Sequence, residues 1–151
     1  PWTPFQWDPM EDAQSLKRKI GLLRSTFAKM GGIDLDAESP REAYFQTLVS
    51  RGDRRVGGIL RRLSQSGCGE PGAIWGELRA IRREVIAGLE NGLPDPDFFV
   101  TRAIAHDELL PWDFIDHHIA KWFLLSERKK AHFEHQTKPC DVTRCTVCGA
   151  C

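Results

Sequence analysis

Four of the chain's five cysteines crowd into its last dozen residues, Cys140, Cys145, Cys148 and Cys151, separated by four, two and two residues. Thiolates packed this densely repel one another unless a soft cation neutralises them, so the spacing points to a four-cysteine metal site. The tail carries almost no apolar content of its own, and a metal would serve as its core. Pro139 stiffens the entry to Cys140, and Gly149 can take a positive φ between Cys148 and Cys151.

Spacing separates iron from zinc only weakly. Four-cysteine zinc sites usually join two C-x2-C knuckles across a longer loop, whereas here three cysteines follow one another as C-x2-C-x2-C. Consecutive short spacings are typical of bacterial ferredoxin loops, and the segment 140–148 also fits the C-x4-C-x2-C opening of plant-type ferredoxins, although Cys151 comes too soon for their distant fourth ligand. An iron–sulfur cluster is the favoured expectation, with zinc next and disulfides or free thiols last. Cys68 stands alone in a loop and is expected to be a spectator. His117 and His118 are adjacent and point in different directions, so they cannot both serve one site. His132 and His135 lie within sequence reach of the cysteines, but four thiolates already complete a site, so surface or capping roles are expected.

The rest of the chain is predicted to be mostly α-helical. Leu16, Ile20, Leu23, Phe27 and Met30 recur at helical spacing, predicting a helix over 8–30 with Asp8 and Pro9 at its start, Gly31-Gly32 at its end, and a stripe that covers a surface. A second helix is expected from Ser39-Pro40 to Gly52, with Ser39 and Glu42 as a capping box and Tyr44, Leu48 and Val49 inward. A third, capped by Asp53, carries Val56, Ile59, Leu60 and Leu63; its Gly57-Gly58 pair marks close packing or a break. The glycine-rich stretch 64–72 is the expected internal boundary. A fourth helix is predicted over 74–89, with Ile74, Leu78, Ile81, Val85 and Leu89 on one face and Asn91-Gly92 as its stop, and a short one begins at Asp95 and Pro96. An apolar loop over 106–116 should pack on the helices, and a last helix is predicted over 118–133 with Ile119, Phe123, Ala120 and Leu124 inward.

Composition bounds the possible functions. The chain has 151 residues, with 21 Lys and Arg against 21 Asp and Glu, so no global basic field argues for nucleic acid or an anionic membrane. No apolar run approaches the roughly 20 residues of a membrane span, and no signal-peptide plan is present. With its odd cysteine count, four of them at one end, the chain is expected to be soluble and cytoplasmic, in a reducing compartment. It begins with Pro1 and passes straight into aromatic residues, as a piece of a longer protein would. One dense positive cluster stands out, Arg51, Arg54, Arg55, Arg61 and Arg62 against Asp53. Arginine forks suit phosphate oxygens, but no aromatic residues interleave with this cluster in sequence, so a solvated helix face is the favoured reading. Phosphate-binding glycine loops, nucleophile elbows and H-E-x-x-H elements are missing from the sequence.

Thr3-Pro4-Phe5-Gln6-Trp7, Arg51-Gly52-Asp53-Arg54-Arg55, Leu110-Pro111-Trp112-Asp113, the Phe123-Leu124 and Glu127 of the last helix and the C-x4-C-x2-C-G-x-C tail occur in this order. Together they resemble the C-terminal third of cobalamin-binding radical S-adenosylmethionine proteins. The chain departs from that family at His117-His118, where small or aliphatic residues are expected. The resemblance implies that residues 1–32 supply the closing helix of a radical (β/α) partial barrel, 33–135 a helical C-terminal domain and 136–151 a cysteine-rich metal-binding tail. It implies cobalamin and S-adenosylmethionine for the parent protein, with the remainder of that chain as partner. The catalytic C-x3-C-x2-C motif of the family is not in this sequence, so the segment is expected to be inactive alone, with Cys140, Cys145, Cys148 and Cys151 binding an auxiliary iron–sulfur cluster. The rival from another class is a non-catalytic, zinc-stapled helical module that binds a protein or RNA partner, RNA through the arginines near Asp53. A small electron carrier is a third expectation.

Overall fold

A computed structural model describes residues 1–67, 69–89, 92–141 and 143–150. They form helices α1 (Ala13–Phe27), α2 (Pro40–Arg51), α3 (Val56–Gln65), α4 (Pro71–Ile86), α5 (Asp97–Val100) and α6 (Lys121–His132), with no strand among the described residues. The predicted mostly α class therefore holds. No helix among them is long and apolar enough to cross a membrane. The chain divides into two compact units, one of Pro9–Arg102 and one made of Pro1–Asp8 with Ala103–Cys151.

The unit Pro9–Arg102 is built from helix faces. Tyr44, Leu48, Val56, Ile59, Leu63, Leu78, Ile81, Phe99 and Val100 make one buried cluster. At about 1.5–3 kcal/mol for each large apolar side chain buried, such a cluster is the main term holding these helices together. Pro40 opens α2 with the fixed φ and missing N–H that suit a first turn, and the Ser39 side chain makes no capping hydrogen bond, so the expected capping box does not form. The inward face of α2 runs Tyr44, Leu48, Arg51 at steps of four and three; Val49 falls off that line and is exposed, contrary to expectation. Leu60 is likewise exposed, off the line of Val56, Ile59 and Leu63.

Helix α3 runs unbroken through Gly57-Gly58. Close packing accounts for the second glycine, because a Cβ on Gly58 would lie 2.8 Å from Leu93 Cδ2, whereas one on Gly57 would meet open space. The stretch 64–72, expected as a boundary, falls inside this unit, with α3 ending at Gln65 and α4 starting at Pro71. Across it Arg62 donates from Nε to Glu77 at 2.6 Å and from Nη2 to Glu84 at 2.7 Å, tying α3 to α4. Helix α4 starts earlier and ends earlier than predicted, closing where Gly88 turns to φ +71° and the Leu89 N–H donates to the Glu84 carbonyl at 3.0 Å. Leu89 is consequently exposed. The expected stop at Asn91 and the lone Cys68 lie outside the described residues.

Two polar ties complete the unit. The buried Tyr44 hydroxyl donates to Asp97, whose other oxygen lies 2.8 Å from Arg82; burial first, then the Asp97 carboxylate, pushes the Tyr44 pKa far up. The Arg51 guanidinium, 9% exposed, donates to the carbonyls of Val100 at 2.9 Å and Arg102 at 3.0 Å, pinning the exit of α5 to the end of α2.

Helix α1 differs from its prediction at both ends. Its cap is Asp12, whose carboxylate accepts from the N–H groups of Gln14 and Ser15 at 3.0 Å, and Asp8 is used elsewhere. None of the stripe Leu16, Ile20, Leu23, Phe27 and Met30 is fully buried; Leu23 is 44% and Met30 49% exposed.

The other unit is mostly irregular chain around a small aromatic core, Trp7, Ile104, Leu110, Trp112 and Leu124. Gln6, buried, organises it: its Oε1 accepts from the Trp2 N–H and from Trp112 Nε1, both at 2.9 Å. The Ile104 N–H donates to the Trp7 carbonyl at 2.9 Å, and Trp7 meets His106 edge to face at 5.7 Å. Asp8 accepts from Arg128 Nε at 2.7 Å and lies 3.4 Å from His132 Nε2, so it binds α6 rather than starting α1. The loop 106–116 packs only in part, with Leu110 and Trp112 buried while Leu109 and Phe114 are 84% exposed. Helix α6 begins at Lys121 rather than at His118, because His118 takes φ +62°, outside the helical region.

Candidate metal centre

The cysteine tail is held to α6 at two places. Beyond the helix, Thr137 Oγ1 donates to the Glu127 carboxylate; Lys130 and then Thr137 hold that carboxyl below its ordinary pKa. Farther on, the Ala120 N–H at the entry to α6 donates to the Cys148 carbonyl at 2.8 Å. The next residue, Gly149, sits at φ +88°, and a Cβ there would lie 3.3 Å from the His118 carbonyl oxygen. The positive φ favours glycine at this position, and the close approach leaves little room for a side chain.

Between these anchors lies a tight turn. Asp141 Oδ1 accepts from Thr143 N at 3.1 Å and Thr143 Oγ1 at 2.6 Å, contacts that hold its carboxyl below the usual range. The Asp141 carbonyl accepts from Cys145 N at 2.8 Å, so Cys145 follows Cys140 after one turn of chain. Cys140 is exposed, while Cys145 and Cys148 are half-buried free thiols. Cys151 lies outside the described residues. Among the described residues no three His, Cys, Asp or Glu side chains are grouped closely enough to hold a metal ion. The tail is therefore tethered, and its three described cysteines are not gathered. By chemistry the donor set fits a soft centre, since thiolates select zinc and iron–sulfur clusters.

The histidines are occupied by protein groups. His117 meets Trp2 edge to face at 5.1 Å and its Nδ1 accepts from the Ile119 N–H at 3.3 Å; His118 lies 3.7 Å from Asp116. His132 pairs with Asp8, and His135 lies against Phe133.

The five clustered arginines separate into different roles. Arg51 and Arg62 carry the internal ties already described. Arg55 pairs with Asp53 at 2.7 Å and stacks over Phe98 and Phe99 at 4.9 and 5.2 Å, and Arg54 and Arg61 are exposed. Arg102 also lies over Phe98, at 4.2 Å. No sequence signal joins residues 51–55 to 98–102; the pairing is a product of helix packing. Likewise, nothing in local sequence singles out Gln6 as the hub that joins the opening to Trp112. No protein-family model, curated protein or solved structure matches this chain.

Proposed function

We propose that this chain is the C-terminal segment of a cobalamin-binding radical S-adenosylmethionine protein. In it Cys140, Cys145, Cys148 and Cys151 hold an auxiliary iron–sulfur cluster. The observation that carries this is the set of four thiols within twelve residues on a tail without an apolar core. Support for the family comes from how its motifs are used: Gln6 and Trp7 of the opening, Leu110 and Trp112 of the loop and Leu124 of the last helix make one buried cluster. The half-covered stripe of α1 suits a helix that closes a barrel belonging to the rest of the parent chain. S-adenosylmethionine and cobalamin belong to that remainder, and no residue here is assigned to them. An auxiliary cluster, when bound, supplies one-electron transfer or an anchor for substrate. This chain's own residues tether the cysteine loop, through Thr137 on Glu127, Cys148 on Ala120 and the Gly149 turn. Free thiols of this kind persist in the reducing cytoplasm, which is the compartment this function requires.

Anaerobic reconstitution with iron and sulfide tests the proposal. The expected result is bound iron and sulfide with broad visible absorption, lost on replacing Cys145 or Cys148 with serine. Stoichiometric zinc without that absorption overturns it in favour of a zinc-stapled module.

A further inference from the structure

We infer that the turn 116–120, which leads into α6, couples the seating of the chain's opening to metal binding at the cysteine tail, so that each strengthens the other. This regulation rests on the metal-centre reading above and concerns what sets the affinity of Cys140, Cys145, Cys148 and Cys151 for a thiophilic metal. Every residue involved belongs to the unit of Pro1–Asp8 with Ala103–Cys151.

Three residues of left-handed backbone lie along one line of contacts: Trp2 at φ +53°, His118 at φ +62° and Gly149 at φ +88°. Glycine adopts that region freely, a histidine at some cost, and a residue as bulky as tryptophan only under constraint. Such backbone persists where neighbouring contacts over-determine it, and it clusters at ligand clamps and switches. The constraints here come from two sides. On one, the Trp2 N–H donates to Gln6 Oε1 at 2.9 Å and the Trp2 ring meets His117 edge to face at 5.1 Å. On the other, the Cys148 carbonyl accepts from the Ala120 N–H at 2.8 Å, and the Gly149 backbone lies against the His118 carbonyl oxygen.

The turn joins the two sides through successive donors. The His118 N–H donates to Asp116 Oδ1 at 2.8 Å, the Ile119 N–H to His117 Nδ1 at 3.3 Å, and the next, on Ala120, to Cys148. One imidazole thus meets Trp2 with its ring and Ile119 with its nitrogen, and moving it off Trp2 shifts the donor one residue before the one that holds Cys148. The turn has two arrangements, a seated one with His118 left-handed and a relaxed one with His118 back in the right-handed region. In the relaxed turn neither the Trp2 ring nor the Cys148 carbonyl keeps its partner. Metal binding fixes the loop that carries Cys148 and so favours the seated turn; a seated Trp2 favours it from the other side. Two events that bias one equilibrium in the same direction are positively coupled, and the coupling is the same when read from either.

Cobalt(II) is the probe, because tetrahedral thiolate coordination gives it visible absorption that reports binding directly. The full chain, reduced and anaerobic, is titrated with cobalt, and amide exchange is followed by NMR with and without the metal. Trp2→Ala should weaken cobalt binding about five- to tenfold, the lower end of ordinary coupling between sites. Trp2→Phe, which keeps an aromatic edge for His117, should recover most of that loss. In the unsubstituted chain cobalt should slow exchange of the Trp2 and Ile119 amides about fivefold or more, and leave those of Leu63 and Ile81 in the other unit unchanged. Should Trp2→Ala unfold its unit, seen as loss of the Trp112 Nε1–H signal, His117→Ala carries the test, since Trp2 then keeps its bond to Gln6. Ile104→Val loosens the buried core of the same unit away from the turn and should leave cobalt affinity unchanged. The coupling is overturned if Trp2→Ala and His117→Ala bind cobalt as the unsubstituted chain does, if Ile104→Val weakens binding as much, or if cobalt leaves the Trp2 and Ile119 amides unprotected. In each of those outcomes the metal centre itself stands; failure of the unsubstituted chain to bind cobalt through thiolates overturns the centre and the coupling together.

Discussion

The two compact units are held together by different means. In Pro9–Arg102, apolar side chains of α2, α3, α4 and α5 make one shared buried cluster, and arginine and tyrosine ties add to it. In the unit of Pro1–Asp8 with Ala103–Cys151, two segments distant in sequence are joined through single contacts: Gln6 between two tryptophans, a backbone bond from Ile104 to Trp7, and Asp8 on Arg128 of α6. A helix face distributes its stabilisation over many side chains. A joint concentrates it in a few, so the irregular unit should be the more sensitive to one substitution.

The largest expected effect follows from that contrast. Trp112→Ala removes a buried indole and leaves Gln6 Oε1 without the Nε1–H donor. A core tryptophan truncated to alanine costs about 3–5 kcal/mol, and here the lost hydrogen bond adds to the cavity. Native-state hydrogen exchange should show the Ile104 amide losing protection while the amides of Leu63 and Ile81 keep theirs. Ile59→Ala, at about 2–5 kcal/mol, should do the reverse. Equal loss throughout α3 and α4 in Trp112→Ala would show that the two units unfold as one block and erase the distinction.

The same contrast explains what could be read from the sequence. Periodicity found α2, α3 and α4 because each buries a face, and it named Tyr44, Leu48, Ile59, Leu63, Leu78 and Ile81 as inward. It failed where an end is decided by something other than a face. Asp8 looked like a cap because Asp-Pro precedes a helical pattern, but its carboxylate is claimed by Arg128, 120 residues away, leaving Asp12 to cap α1. His118 looked helical until the chain's left-handed turn there, next to Gly149, pushed the start of α6 to Lys121. The cysteines were singled out by their crowding in sequence alone. Their tethers to Ala120 and Glu127 were not, since a backbone bond and a threonine hydroxyl leave no pattern. The pairing of Arg55 with Arg102 over Phe98 was equally hidden, being set by where α5 packs.

A smaller effect sharpens the picture of the helical unit. Gly57 and Gly58 are adjacent in α3, yet only Gly58 approaches a neighbour, Leu93 Cδ2. Gly57→Ala should therefore stabilise the protein by about 0.5–1 kcal/mol in urea unfolding, the usual gain from alanine in a helix. Gly58→Ala obtains the same propensity gain but must displace the end of the Leu93 side chain, so it should fall measurably short of Gly57→Ala. Equal gains would mean that Leu93 does not seat against the glycine.

The smallest effect concerns a polar joint within the helical unit, between Asp53 and Arg55. The Arg55 hydrogen bond holds the Asp53 carboxyl below its ordinary pKa in the folded chain. The unfolded chain takes up that proton at the higher, ordinary value, so the stabilisation is fully present above it and is lost as pH falls through the folded value. Asp53→Asn keeps an oxygen for the Arg55 N–H and removes only the charge. Because the pair is partly exposed, the variant should be less stable by well under about 1 kcal/mol at neutral pH. Urea unfolding of both proteins should show that gap shrinking towards zero between about pH 6 and pH 3. A gap that stays constant over this range would mean that the oxygen's geometry, and not its charge, sets the turn at the start of α3.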